Sequence, residues 1–308
     1  MTRIRPLTTD NHNLAQGKDE PKAMGAFGGV FSIMSIKNHE FERIRVLVHD
    51  YFGIKLSSEK RMLVVGRLQN YLKINHFDNF NDYIDHVESD SSGKELLHLI
   101  DLISTNHTFF FREPSHFDFF NSTILPGIEL RAALKKSKNV RLWCAGCSGG
   151  DEAYSLMICL KEYFGHEYKT WNAGVLATDI SEKILNEART GIYSANRISD
   201  VPLIFRERYF RNAGHGLYHI NDSIKAEVTF RRLNLKNNQF PFKHAFDMIS
   251  CRNVMIYFDS DMKEQLVNNF YALTQPGGYL FVGHSETLNR KKLPYIYVQP
   301  GIYRKANS

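Results

Sequence analysis

The stretch Val140-Arg141-Leu142-Trp143-Cys144-Ala145-Gly146-Cys147-Ser148-Gly149-Gly150-Asp151-Glu152-Ala153-Tyr154-Ser155 decides the fold. Residues 140–144 are a short apolar run, and Gly146, Gly149 and Gly150 follow closely. Ala153, Met157, Leu160 and Phe164 then recur at helical spacing. A strand, a Gly-rich turn and a helix start make a ligand cradle. Glycines let a ligand approach the backbone, and the first N–H groups of the helix point outward.

Working outward, residues 174–178 read as a second strand ending at Asp179, where a carboxylate can take both hydroxyls of a ribose. Ser181 is placed to cap the next helix. Phe246–Cys251 and 278–283 predict further strands, with a helix over 262–273 between them. Strands alternating with helices predict an α/β fold with a parallel sheet covered on both faces. Leu217–Ile220 and 228–235 alternate apolar and polar residues and are expected to pair with each other as an antiparallel β-subdomain inserted at about 212–233. Residues 295–298, the turn Gln299-Pro300-Gly301 and Ile302–Arg304 predict a terminal hairpin.

Upstream the period is helical. Phe41, Ile44, Leu47 and Val48 share one face until Gly53 stops the run; Ser57 is expected to cap a helix with Val64, Leu68 and Leu72 inside. Two more helices are expected near 80–87 and 95–103. The expected organisation is a flexible tail (1–35), a small all-helical domain (36–105), a linker and connecting helix (106–136), and the α/β domain (137–308).

Composition narrows the function. With 308 residues, 43% apolar and 23% charged, wholesale disorder is excluded. No apolar run approaches the ~20 residues that cross a bilayer, so no membrane insertion is expected. The apolar segment at 24–36 follows a long polar stretch and precedes Lys37-Asn38-His39, so secretion is not expected. Four cysteines are too few for a disulfide framework, which suits the cytoplasm. A net charge of +6 favours acidic partners without requiring a nucleic acid.

The turn discriminates between ligands. A dinucleotide fingerprint wants Gly-x-Gly-x-x-Gly, whereas this spacing is Gly146-x-x-Gly149-Gly150. Asp151 and Glu152 follow where a diphosphate would rest. Each unit pair of like charges at 4 Å costs about 4 kcal/mol at intermediate dielectric. Two carboxylates suit an amino group and a sulfonium, which favours S-adenosylmethionine over NAD. Cys144 and Cys147 are spaced like a redox pair, but Cys159 and Cys251 supply no second pair for zinc; small residues packing the turn are expected. His107, His116 and His284 have no spacing that assembles a metal site, so none is expected. Phe109, Phe110, Phe111, Phe117, Phe119 and Phe120 suit either base stacking or a seam between the two domains, and the seam is expected. Lys55, Lys60, Arg61, Arg67 and Lys73 against the single acid Glu59 form either a solvated face or a dock for an acidic helical substrate, with Lys60, Arg61 and Arg67 as candidates.

Three further segments carry a resemblance: Thr105-Asn106-His107-Thr108-Phe109-Phe110-Phe111-Arg112-Glu113, Cys251-Arg252-Asn253-Val254-Met255-Ile256-Tyr257-Phe258, and Gly283-His284-Ser285-Glu286-Thr287. With the Gly-rich turn, they resemble the chemotaxis receptor methyltransferases, the CheR family of protein-glutamate O-methyltransferases, over about 36–305. The resemblance implies a Rossmann-like SAM-dependent methyltransferase sheet. It implies that Asn106, Thr108 and Arg112 contact the cofactor, Gly146 belongs to its cradle, Glu152 holds its amino group and Asp179 its ribose. Asn234 and Leu235 would lie beside the adenine, Arg252 and Asn253 would line the pocket, and Arg112 and Tyr257 would flank the reacting methyl. An acceptor glutamate, with a reference pKa near 4.3, is already ionised at neutral pH, so these two residues would position it. The implied product is S-adenosylhomocysteine. The implied partner is the cytoplasmic, glutamate-bearing helical region of a methyl-accepting chemoreceptor, met by a monomeric cytoplasmic enzyme that binds no nucleic acid. The rivals are a nucleic-acid methyltransferase and a SAM-binding module without turnover. Asp151 and Ala153 depart from the family's usual glutamate and proline, and the loop 211–216 is shorter than in enteric members, which grip a receptor's terminal peptide with that subdomain.

Overall fold

The computed structural model describes residues 34–104, 108–286, 288 and 293–307. Residues 1–33 of the expected tail, and Asn106, lie outside the described residues.

Four helices open the described chain: α1 (Asn38–Phe52), α2 (Arg61–Ile74), α3 (Phe80–Ser89) and α4 (Lys94–Ile103). Their apolar stripes close on one core that holds Ile44, Val48, Val64, Leu68, Leu72, Phe80, Ile84 and Leu99. Gly53 ends α1 in the left-handed conformation (φ 71°), as a glycine stop requires. Ser57 behaves differently from expectation. It precedes a 3-10 turn, Ser58–Lys60, and its hydroxyl bonds Glu59 at 3.1 Å instead of capping a backbone N–H.

After the linker come α5 (Pro114–Phe119), a π-helical turn at Phe120–Ile124 and α6 (Leu125–Lys135). The α/β domain then runs β1 (Asn139–Ala145), α7 (Asp151–Phe164), β2 (Asn172–Asp179), α8 (Glu182–Thr190), β3 (Ile192–Ser194), α9 (Leu203–Tyr209), β4 (Phe210–Gly214), β5 (Leu217–Ile220), α10 (Asp222–Lys225), β6 (Val228–Arg232), β7 (Phe246–Cys251), α11 (Ser260–Leu273), β8 (Thr274–Val282), β9 (Ile296–Gln299) and β10 (Ile302–Arg304). The main sheet has the order β6-β2-β1-β7-β8-β10-β9. Its first five strands are parallel, and β10 and β9 close one edge as an antiparallel hairpin. From β1 the chain winds first toward β2 and β6, then crosses to β7 and β8. The strand order therefore reverses between β1 and β7, the place where open α/β sheets hold their ligands.

The inserted subdomain requires a correction. Leu217–Ile220 pairs with β3 and β4, giving an antiparallel sheet ordered β3-β5-β4. Val228–Arg232 instead joins the main sheet parallel to β2, with Val175 opposite Val228. The insert therefore occupies the chain between α8 and α10, beginning upstream of the expected 212–233 and ending within it. Period-two alternation shows that a segment has one buried face, but not which strand it pairs with. Val228 and Phe230 bury that face in the core of the α/β domain.

The aromatic run is corrected too. Phe110 is fully buried edge-on against Tyr193 (4.9 Å) and Phe210 (5.1 Å), both from the inserted subdomain. Phe111 meets Phe117 and Phe205. Phe110, Phe117 and Phe120 belong to the α/β core. These rings fasten the linker onto the α/β domain and its insert, whereas Phe109 lines the cleft shared with the helical domain.

The seam combines apolar packing, Ile180 against the helical core and Ile54 against the α/β core, with backbone and polar bonds. Ile54 bridges antiparallel to Phe258, and the Lys55 N–H donates to the Tyr257 carbonyl at 2.7 Å. Asn234 Nδ2 donates to the Tyr51 carbonyl (2.7 Å) and Lys236 Nζ to the His49 carbonyl (2.9 Å), so two residues beyond β6 satisfy the open C-terminus of α1.

Candidate active site

A cleft opens beyond the C-terminal ends of β1 and β7, and both domains line it. Phe52, Ile54, Lys60, Leu63, Ile100 and Ser104 come from the helical side. Gly146, Glu152, Asp179, Leu235, Arg252 and Tyr257 are among those from the α/β side. Thr108, Phe109 and Arg112 of the linker run between the two.

The Gly-rich turn is fixed from below. The N–H groups of Gly146 and Cys147 donate to the Thr178 carbonyl at 2.7 and 2.9 Å, tying the end of β1 to the end of β2. Gly146 has φ 79°, and a Cβ there would collide with the Val254 side chain. A side chain is therefore excluded there on two independent grounds, backbone strain and a clash with Val254. Cys144 and Cys147 are buried free thiols whose pKa burial pushes well up, opposite to what a reactive thiolate needs. They pack the turn.

Asp179 ends β2 and lines the cleft. Its Oδ2 accepts the Ser148 N–H at 2.8 Å and its Oδ1 the Ser181 N–H at 3.1 Å. Burial nevertheless pushes its carboxyl above the ordinary value, with these donors working the other way. Ser181 caps α8 as expected, its Oγ accepting the Ile184 N–H at 3.2 Å.

The two acids after the turn do not act together. Asp151 is fully buried and faces away from the cleft, paired to Arg197 of the inserted subdomain (Nε 2.9 Å, Nη2 2.5 Å). Only Glu152 of the two lines the cleft. The electrostatic case against a diphosphate therefore rests on Glu152 together with Asp179. Glu152 accepts the Ser250 hydroxyl on Oε1, and its Oε2 lies 3.5 Å from Arg252 Nη1.

Arg252 and Asn253 follow β7 on a turn held by a residue that sequence reasoning quoted without giving it a role. Glu286 is buried, and its carboxylate accepts the N–H groups of Asn253 (2.8 Å), Met255 (2.6 Å) and Gly283 (2.5 Å). This grip keeps Asn253 in the left-handed region (φ 60°) and sets the 3-10 turn Met255–Tyr257 that presents Tyr257. A carboxylate accepting several backbone N–H groups is a strong clamp. The one local signal for it was an acid in the short polar segment that follows the last apolar strand of the parallel sheet.

Of the basic candidates, the structure brings only Lys60 to the cleft. Its Nζ stands 4.5 Å from the centre of the Tyr257 ring, and burial, with Arg67 nearby, pushes its pKa down. Arg61 bonds Asn38 Oδ1 (2.6 Å) and the Ile36 carbonyl. Arg67 donates to the carbonyls of Ile103 and Ser104 at 2.6 and 2.7 Å, closing the end of α4. Both bond within the helical domain, and neither lines the cleft that Lys60 reaches. Asn234 and Leu235 both line the cleft, with the Asn234 amide also bonding the Tyr51 carbonyl and the Lys236 N–H (3.0 Å) and Leu235 buried. Arg112 lies with its guanidinium carbon 5.7 Å from the Phe109 ring centre.

Folding also assembles a cluster that no spacing revealed. Glu113, His116 and His284 bring potential ligating atoms within 4.8 Å of one another. Arg252 Nη2, however, lies 3.2 Å from Glu113 Oε2, so a guanidinium already supplies the positive charge there. Burial pushes His116 down to about 4, so it is neutral at physiological pH.

A parallel sheet with an acidic, glycine-lined cleft at its switch point defines an S-adenosylmethionine-dependent methyltransferase, and the donor set fits that cofactor. Glu152 and Asp179 line the cleft as hydrogen-bond acceptors, and Gly146 lines it without a side chain. Comparison with known proteins makes the class specific. Residues 39–104 match the CheR methyltransferase all-alpha domain, and residues 106–301 match the CheR methyltransferase SAM-binding domain. The chain belongs to the CheR methyltransferase family. It is 41% identical over 272 residues to a chemotaxis protein methyltransferase of Borreliella burgdorferi, covering 88% of this chain and 96% of that protein. Identity to the chemotaxis protein methyltransferase of Escherichia coli is 33% over 259 residues, covering 83% and 87%.

Proposed function

We propose that this chain methylates glutamate side chains of chemotaxis-type receptors in the cytoplasm, forming methyl esters. The observation that carries the reading is the grouping of Lys60, Arg112 and Tyr257 around one cleft beside Glu152 and Asp179. Two cations and a phenol suit an incoming carboxylate, and two carboxylates suit a cationic donor. The names of the relatives support a chemotaxis substrate.

S-adenosylmethionine supplies an electrophilic methyl group when bound. Thr108, Glu152, Asp179 and Leu235, with the Gly146 turn, would hold it, Glu152 on its amino group and Asp179 on its ribose. The acceptor carboxylate is ionised at neutral pH, so no group needs to take a proton from it. Arg112 orients that carboxylate through its forked donors, Tyr257 offers a hydroxyl, and Lys60 adds charge at the helical side of the cleft. The half-buried ammonium of Lys60 gains a partner when a carboxylate enters, which offsets its desolvation.

The chemistry is tested by the product. Methyl label transferred to receptor fragments should be released as methanol in mild base; label that resists base points to N-methylation and overturns the ester reading. The role of Lys60 is separable. Lys60→Glu should raise KM for the receptor about tenfold, the scale of one lost charge contact, while leaving S-adenosylhomocysteine affinity unchanged. An unchanged receptor KM would remove Lys60 from the substrate site.

A further inference from the structure

We infer that Glu113, which does not line the cleft, is a positioning residue that shares Arg252 with Glu152, so that Arg252 does not fully offset the Glu152 charge and a cationic ligand group can pair with it. The inference rests on the reading that Glu152 meets the cofactor's amino group.

Arg252 is 6% exposed, and two carboxylates compete for it. Its Nη2 lies 3.2 Å from Glu113 Oε2, and its Nη1 lies 3.5 Å from Glu152 Oε2. The same Nη2 donates to the Arg112 carbonyl, on the Glu113 side. The guanidinium is therefore shared between the two carboxylates, with its Nη2 tied to the linker. Two carboxylates and one guanidinium leave one net negative charge, which matches a single ammonium.

Glu113 is itself rigidly placed. It has φ 60° at the start of α5, directly before Pro114. Its Oε1 accepts the His284 N–H at 3.2 Å, and its carbonyl accepts the His116 N–H at 3.0 Å. The linker that carries Arg112 thus also carries the acid that steers Arg252. Without the Glu113 charge, Glu152 would be the one carboxylate left beside Arg252 among the described residues. Ion pairs in a desolvated site are strong, so that pair would close and an incoming ammonium would have to displace it.

The test is calorimetry on the full chain with two probes: S-adenosylhomocysteine, and its deaminated analogue, which keeps the nucleoside and carboxylate but lacks the ammonium. Glu113→Gln preserves shape and removes charge. It should weaken S-adenosylhomocysteine about tenfold, the order of one displaced ion pair, and leave the analogue no weaker. Equal weakening of both probes would mean that Glu113 only supports the fold, and an unchanged S-adenosylhomocysteine affinity would mean that Arg252 needs no restraint; either result overturns the inference. Glu152→Gln is the companion measurement and should show the same selectivity. If Glu152→Gln discriminates and Glu113→Gln does not, the amino-group assignment stands and the role of Glu113 fails. If Glu152→Gln does not discriminate, the assignment fails and the inference falls with it.

Discussion

Asp179→Ala should weaken S-adenosylhomocysteine binding by roughly 100-fold, equivalent to about 3 kcal/mol for two hydroxyls donating to one charged acceptor. The carboxylate ends β2 inside the cleft and is already fixed by the N–H groups of Ser148 and Ser181. Alanine removes the acceptor for the ribose and also frees Ser148, so the Gly-rich turn loosens at the same time. Affinity should also depend on pH. Burial raises the Asp179 carboxyl in the ligand-free protein, whereas two donating hydroxyls would favour its ionised form. Binding therefore expels a proton once pH falls to the raised pKa, and affinity declines as pH drops through it. Calorimetry across the acidic range should show this decline beginning above the ordinary aspartate value, and Asp179→Asn should flatten it. A parent-like affinity in Asp179→Ala would exclude the ribose contact.

Arg112→Ala should act at the other end of the cleft, on turnover. Misplacing a reacting group by about 1 Å costs about 100-fold, and a lost donor to a developing charge costs 100- to 1000-fold. A drop in kcat of about that size is expected, with S-adenosylhomocysteine affinity changed by less than tenfold. The guanidinium occupies the linker between the two domains, beside Phe109 and within the cleft. It is thus placed to meet a protein side chain entering from the helical side. Single-turnover rates with saturating receptor fragment and cofactor measure this directly. A variant that keeps kcat and loses only cofactor affinity would make Arg112 a cofactor ligand and nothing more.

The difference between these two sites also explains what could be read early. Asp179 was legible because a carboxylate at a strand end, one strand after a Gly-rich turn, is a local pattern with a local reason. The stop of α1 at Gly53, the cap at Ser181 and the strands at Val140, Val175 and Phe246 were legible on the same terms. Each depends on backbone conformation or on burial of one face, and both leave a period or a breaker in the chain itself. Arg112 and Tyr257 were reached only through the family resemblance, since an arginine after three phenylalanines and a tyrosine after an apolar run are otherwise ordinary.

Sequence alone therefore determined the strand–turn–helix unit, the alternation that makes a parallel sheet, and the acidic character of its cradle. Tertiary structure decided which partner each polar group obtained. Arg197 took Asp151 out of the cleft, Arg67 went to the end of α4, Val228–Arg232 joined the main sheet, and Glu286 gripped the turn that presents Tyr257. The physical reason is range. Helix period, strand alternation and turn chemistry act between residues a few positions apart. Ion pairs and strand pairing join residues tens to more than a hundred positions apart, and several candidates of the same chemistry compete for each place.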